Sequence, residues 1–272
     1  MDVSVLAHEV YPGESHPVLA IHGISSHRKL WLWLHAAAPE LSLLAPDLRG
    51  RADSVGLAGP YTREHHVSDL VRLLDDAGLD RVDVIGMSMG GFVGAALAAA
   101  HPRRVRSLTL VDGGPPMTPP PGLTRETIGA AFAGRLGRLQ REWASVEDFR
   151  DYFCGDIAPL LEPDDPVLLR YLAHDLDAQG QVRLRGEALI EDGADIWFGP
   201  DLFGVYDGPT RVLTAAWSVG AGSAPAYGVE QIADLRARGI PVSVVPEVDH
   251  AGIIMTSRGA TAVAAVLREA IA

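Results

Sequence analysis

At 272 residues and 47% hydrophobic content, the chain is long enough for one large α/β domain, or for a core carrying an inserted cap. Its formal net charge of −12 argues against nucleic acid or an anionic membrane surface as a partner. Cys154 is the one cysteine, which excludes an intrachain disulfide and fits a reducing compartment.

The first residues, Met1 to Glu9, carry no basic n-region and no long apolar h-region. No stretch approaches the ~18 uncharged apolar residues of a membrane span. The expectation is a cytoplasmic protein with no membrane partner, either monomer or homodimer. Val3 to Val10 alternates loosely, as an edge strand does. Val18 to Ile21 is a short apolar run of the buried parallel kind, and it ends in His22-Gly23. Gly23 permits a turn that aims the next backbone N–H, that of Ile24, into a cavity. A plain β-turn beside a packed histidine is the other reading. Leu30 to Ala38 reads as a short helix ended by Pro39, and Leu41 to Ala45 as a strand. The polar turn after it holds Asp47 and Arg49, which are expected to brace the loop by hydrogen bonds and a salt bridge. Thr62 to Ala77 has Val67, Leu70, Val71 and Leu74 at helical spacing and stops at Gly78. Its His65 and His66 lack the spacing of metal ligands.

Val82 to Met87 is another apolar run, and it enters Gly86-Met87-Ser88-Met89-Gly90. A small-residue helix, Gly91 to Ala100, follows and is ended by His101-Pro102. This is the order a nucleophile elbow needs: a strand, a tight turn with Ser88 at its apex, and a helix whose free N–H groups face developing negative charge. A dinucleotide fingerprint would require glycine where Ser88 stands. Val105 to Val111 is the next strand and ends in Asp112-Gly113-Gly114. Such strand–helix alternation predicts a mostly parallel sheet with helices on both faces. His22-Gly23, Ser88 and Asp112 all fall at predicted carboxyl ends, where ligands of such sheets bind.

The pattern then breaks at a proline-rich exit. Residues 113–206 read as an inserted helical cap, with helices at Glu126 to Trp143, Val146 to Phe153, Pro166 to Leu176 and from Glu187 to Ile190 or beyond. The core is then 1–112 and 207–272. Most of the aromatics lie in the cap. Trp143, Tyr152, Trp197 and Phe198 are candidates for a substrate pocket with His22 and Gly23, although packing of the cap on the core explains such residues equally. Strands at Thr210 to Ala216 and Pro241 to Val245 resume the sheet, with a helix from Tyr227 to Arg238 between them. His250 lies in the loop that leads to a terminal helix, Ala260 to Ala270. A serine at an elbow needs a base, and imidazole can accept its proton and later return it to a leaving group.

With His22-Gly23, the Asp47-x-Arg49-Gly50 loop, Gly86-Met87-Ser88-Met89-Gly90 and Asp249-His250 in place, the chain resembles the capped, esterase/lipase-like α/β-hydrolases over nearly its whole length. Ala52 departs from the glycine many members carry. The resemblance implies Ser88 as nucleophile, His250 as base, and the backbone N–H groups of Ile24 and Met89 as oxyanion hole, with no cofactor and no metal. It also implies an acid after the strand at Val212 to Ala216, yet residues 212–229 contain no Asp or Glu. Some members place the acid after the preceding strand, which makes Asp112 the substitute. Asp249 and Glu247 are too close in sequence to His250 to reach its Nδ1. A degraded triad is the remaining alternative.

The resulting expectation is hydrolysis of an apolar, medium-sized carboxylic ester or lactone through an acyl-enzyme. C–C bond hydrolysis, thioester hydrolysis or lyase chemistry with the same Ser–His pair stay open, as does a non-catalytic ligand-binding member of the fold. Ser88 argues against the aspartate-nucleophile reactions, epoxide hydrolysis and dehalogenation.

Overall fold

The computed structural model describes residues 5–271. Its centre is a seven-stranded sheet in the order β1-β3-β2-β4-β5-β6-β7. The strands are β1 His8–Tyr11, β2 Val18–Ile21, β3 Leu43–Pro46, β4 Val82–Met87, β5 Val105–Val111, β6 Thr210–Ala215 and β7 Val242–Val245. Only β1 runs antiparallel, pairing with β3 at one edge. All other neighbours are parallel. The sequence places the first strand earlier, at Val3 to Val10. The observed strand begins at His8, and residues 1–4 lie outside the described region.

Both faces of the sheet are covered, because successive side chains of a strand point to opposite sides. In β4, Ile85 and Met87 join one apolar cluster and Val82 and Val84 the other. Helices α2 (Arg63–Asp76) and α3 (Met89–Ala100) cover the second face. Helices α1 (Leu32–Ala37) and α11 (Ser257–Ile271) cover the first. α3 is apolar all round, as expected of a helix buried in the middle of a large core.

Between β5 and β6 the chain forms a helical insertion that carries no β-strand: α4 Ile128–Ala131, α5 Ala133–Leu139, α6 Val146–Tyr152, α7 Pro166–Asp175 and α8 Gly186–Phe198. The single helix expected over Glu126 to Trp143 is two short ones that break at Phe132 and end at Leu139. Gly129, Gly134 and Gly137 explain this, since each glycine costs helix stability relative to alanine. α6 runs on into a wider π turn at Phe153–Ile157. After β6 come α9 (Val229–Ala237), β7, α10 (Gly252–Met255) and α11. Among the described residues, no helix is long and apolar enough to cross a membrane.

Candidate active site

Ser88 is the residue between β4 and α3, with φ 54° and ψ −121°. This is a left-handed conformation that a side-chain-bearing residue adopts only under strain. The surrounding backbone enforces it. The Ser88 amide donates to the Val111 carbonyl (2.9 Å), and its carbonyl accepts from Gly91 (2.9 Å). Gly90 is required because a Cβ there would be driven into the Ile21 carbonyl of the neighbouring strand.

His250 reaches the serine from the loop after β7. Its Nε2 lies 3.0 Å from Ser88 Oγ, and its Nδ1 lies 2.6 Å from Asp112 Oδ2. Asp112 follows β5 directly, is buried, and also has a positive φ of 47°. Its second oxygen, Oδ1, accepts from the Ala215 amide (3.1 Å). The end of β6, where the family resemblance looks for an acid, here supplies a backbone N–H that fixes the carboxylate of the adjacent strand. Both Asp112 oxygens are thereby engaged, and the arrangement sets the imidazole ring with Nδ1–H toward Asp112 and Nε2 toward the serine.

Asp249 and Glu247 are occupied elsewhere. Asp249 accepts from the Gly252 amide (2.8 Å) and the Gly220 amide (2.9 Å), tying the His250 loop to the loop after β6. Glu247 pairs with Arg258 at 3.1 Å.

His22 is fully buried beneath the turn that follows β2. Its Nε2 accepts from the Leu48 amide (2.9 Å), so Nδ1 carries the proton and donates to the Gly23 carbonyl (2.7 Å). Burial pulls its pKa from 6.5 down to about 4, which keeps the ring neutral. The Gly23 carbonyl and the Ile24 N–H belong to one planar peptide unit, so this bond fixes where that N–H points. The next peptide is held as well: Arg51 donates through Nε and Nη2 to the Ile24 carbonyl, each at 3.1 Å. Ile24 is therefore clamped on both sides. The same guanidinium lies 3.8 Å from Met89 Sδ and 2.5 Å from Asp192 on α8. Asp192 also meets His66 Nε2 at 2.9 Å. Burial disfavours the Asp192 charge, but Arg51 and His66 overcome it and hold the carboxyl below its ordinary range.

A cavity of about 830 Å³ opens over Ser88 and His250. Its wall is mainly apolar, with Phe92 and Met87 from the core and Phe132, Phe153, Ile196 and Trp197 from the insertion. Of the residues expected in a pocket, Gly23 and Trp197 line it, and Ile24 does so as well. His22, Trp143, Tyr152 and Phe198 do not. His22 lies beneath the turn. Trp143 packs in an aromatic cluster with Phe149 and Tyr152, each at 4.9 Å, under the Arg141 guanidinium. Phe198 sits under Arg125. Amphipathic spacing marks which face of a helix is apolar. It does not say whether that face meets core or cavity. Arg135, also in the wall, carries no periodicity or motif to mark it.

Asp47 and Arg49 brace their loop by hydrogen bonds and ion pairs. Asp47 binds Arg28, while Arg49 forks onto Asp69 at 2.6 and 2.8 Å. Among the described residues, Asp47, Asp53 and His174 bring possible metal-ligand atoms within 4.8 Å of one another. Arg28 pairs with both of these carboxylates and Arg183 with Asp53, so the site already holds its counter-charges.

The α/β-hydrolase fold family model matches residues 16–154. The chain belongs to this family. It is similar to the lipase LipV of Mycobacterium tuberculosis, with 41% identity over 139 residues, which cover 48% of this chain and 52% of the lipase. The matched region thus spans about half of that relative's length. It is also similar to the 3-hydroxybutyrate-oligomer hydrolase of Cupriavidus necator, with 29% identity over 262 residues, 88% of this chain and 84% of that protein. The crystal structure of E-2-(acetamidomethylene)succinate hydrolase shares the fold, with a TM-score of 0.79 at 18% identity over 98% of this chain and 94% of that one.

Proposed function

We propose that the protein is a serine hydrolase that cleaves a carboxylic ester or lactone through an acyl-enzyme. The observation that carries this reading is the continuous chain Asp112–His250–Ser88, at 2.6 and 3.0 Å, opening into a mainly apolar cavity. A lipase and a 3-hydroxybutyrate-oligomer hydrolase among the relatives support the ester reading over a ligand-binding role.

In this mechanism Ser88 Oγ attacks the substrate carbonyl carbon and its proton passes to His250 Nε2. The carbonyl oxygen becomes an oxyanion facing the backbone N–H groups of Ile24 and Met89. One such donor is worth about 3 kcal/mol of barrier, provided it is fixed in advance. The clamp on Ile24 by His22 and Arg51 supplies that fixity. Asp112 stabilises the imidazolium. The tetrahedral adduct collapses, the C–O bond breaks, and His250 gives its proton to the departing alkoxide. Water then gives a proton to His250 and attacks the acyl carbon. A second collapse releases the carboxylic acid and restores the serine. No metal or cofactor enters this scheme. The helical insertion acts as the cap of the cavity.

The test is turnover of a panel of aryl and alkyl esters and lactones by wild type and Ser88→Ala. Ester or lactone hydrolysis that disappears in Ser88→Ala supports the reading. Turnover restricted to thioesters or to C–C bonds, or none on any of them, would replace it.

A further inference from the structure

The catalytic cavity contains a cation that nothing in the mechanism uses. Arg135, on α5 of the insertion, is the one lysine or arginine in the wall among the described residues. No carboxylate lies within ion-pair distance of it among the described residues. Its guanidinium rests 5.3 Å from the centre of the Phe132 ring, which also lines the cavity. The side chain is solvent-exposed, and desolvation by surrounding protein together with the neighbouring Arg138 guanidinium pulls its pKa below the ordinary value. Arg138 is itself buried, donates to the Ser25 carbonyl at 3.3 Å, and likewise has no acid within ion-pair distance among the described residues.

A buried arginine without an acid, as Arg138 is, is unusual for the chain. It carries 35 acidic against 23 basic residues, and its buried or half-buried arginines elsewhere take acids: Arg28 binds Asp47, Arg49 binds Asp69, Arg51 binds Asp192 and Arg63 binds Asp195. Arg135, exposed in the cavity wall and without an acid partner among the described residues, keeps its charge available to an anion that arrives with the ligand. A planar guanidinium matches a carboxylate in geometry as well as charge, and it does so best where the surroundings are apolar.

We infer that Arg135 is a substrate-binding residue and that the substrate carries a free carboxylate in addition to the ester or lactone carbonyl attacked by Ser88. The inference rests on the serine-hydrolase reading and names the substrate class of that site. The apolar wall accepts the carbon chain between the two groups.

Two measurements test it. In the first, p-nitrophenyl hemiesters of dicarboxylic acids from glutaric to suberic are compared with neutral p-nitrophenyl alkanoates of equal chain length. For at least one chain length, wild type should prefer the anionic ester by about ten-fold or more in kcat/KM. Arg135→Gln should reduce that ratio to near one and Arg135→Lys should keep part of it. Because each variant supplies its own neutral reference, a general loss of activity does not mimic the effect. In the second, labelling of Ser88 by a neutral fluorophosphonate is followed with adipate or adipamide present at matched ionic strength. Adipate should slow labelling of wild type and not of Arg135→Gln, and adipamide should slow neither. A hemiester preference places the carboxylate on the acyl side of the substrate, and protection by adipate without such preference places it on the alcohol side. Neutral-ester turnover and Ser88 labelling, with no hemiester preference and no protection, would overturn this inference and leave the hydrolase reading standing. Absence of both turnover and labelling would overturn the hydrolase reading and this inference with it.

Discussion

Two aspartates near His250 do different work. Asp112 touches the imidazole, while Asp249, adjacent in sequence, braces two loops. Asp112→Asn retains an oxygen for the Ala215 amide and removes the charge that fixes the tautomer. It should lower kcat on the order of 10⁴-fold with little change in thermal stability. Asp249→Asn leaves one of two amides without its acceptor. It should cost about 1–3 kcal/mol of stability, measured by urea unfolding, with kcat within a few-fold of wild type. The reverse pattern would exchange their roles. The sequence points to Asp112 because residues 212–229 offer no acid at all, so a gap in the expected pattern is what singles it out. It does not disclose Arg51, whose partner Asp192 lies 141 positions away. No local pattern encodes a pair that only tertiary packing brings together.

At the scale of elements, the site is a meeting of strand ends. β2, β4 and β5 deliver His22-Gly23, Ser88 and Asp112 to one edge of the sheet, and the loop after β7 returns His250. This part of the fold is legible because buried parallel strands read as apolar runs and the chemistry sits where those runs stop. The insertion is less legible. Its helices are short, interrupted at Phe132 and widened at Phe153–Ile157, and their rotation decides which aromatics face the cavity. What joins the insertion to the core is legible only in three dimensions. Arg51 from the core and Asp192 from α8 form a buried ion pair, with Arg51 1% exposed and Asp192 2%. Breaking one side leaves an uncompensated buried charge, at a cost of about 3–5 kcal/mol. Asp192→Asn should therefore lower stability by that amount in chemical unfolding. It should also lower kcat more than it raises KM, since the Arg51 that it releases holds the Ile24 carbonyl. An unchanged kcat in a folded Asp192→Asn protein would separate the ion pair from the oxyanion side of the site.

For the whole molecule, buried histidines set the response to acid. His22 and His27 are both fully buried, and desolvation holds them neutral, His22 with a pKa of about 4 and His27 well below its ordinary 6.5. The unfolded chain takes up these protons near 6.5, and the folded chain does so only at much lower pH. Stability is therefore complete above about 6.5 and lost as pH falls from there toward 4. The His22 difference alone amounts to roughly 3 kcal/mol over that window. Asp175 acts in the opposite sense. Burial raises its pKa from 3.8 to about 6, so the folded state binds that proton first and gains stability between 6 and 3.8. One carboxyl offsets only part of two histidines. The Tm should fall by several degrees between pH 7 and pH 4.5 in a calorimetric series. A Tm that holds or rises over that range would contradict the neutral, buried assignment of these rings.

The proposed role of Ser88 is that of a nucleophile driven by His250 and by an acid from β5. The most direct measurement is intact mass against time after addition of a fluorophosphonate to wild type, Ser88→Ala, Asp112→Asn and Asp249→Asn. One adduct is expected on wild type and none on Ser88→Ala, with labelling slowed at least a hundred-fold in Asp112→Asn and close to the wild-type rate in Asp249→Asn. An adduct that persists in Ser88→Ala, or an Asp112→Asn protein that labels as fast as wild type, would contradict it.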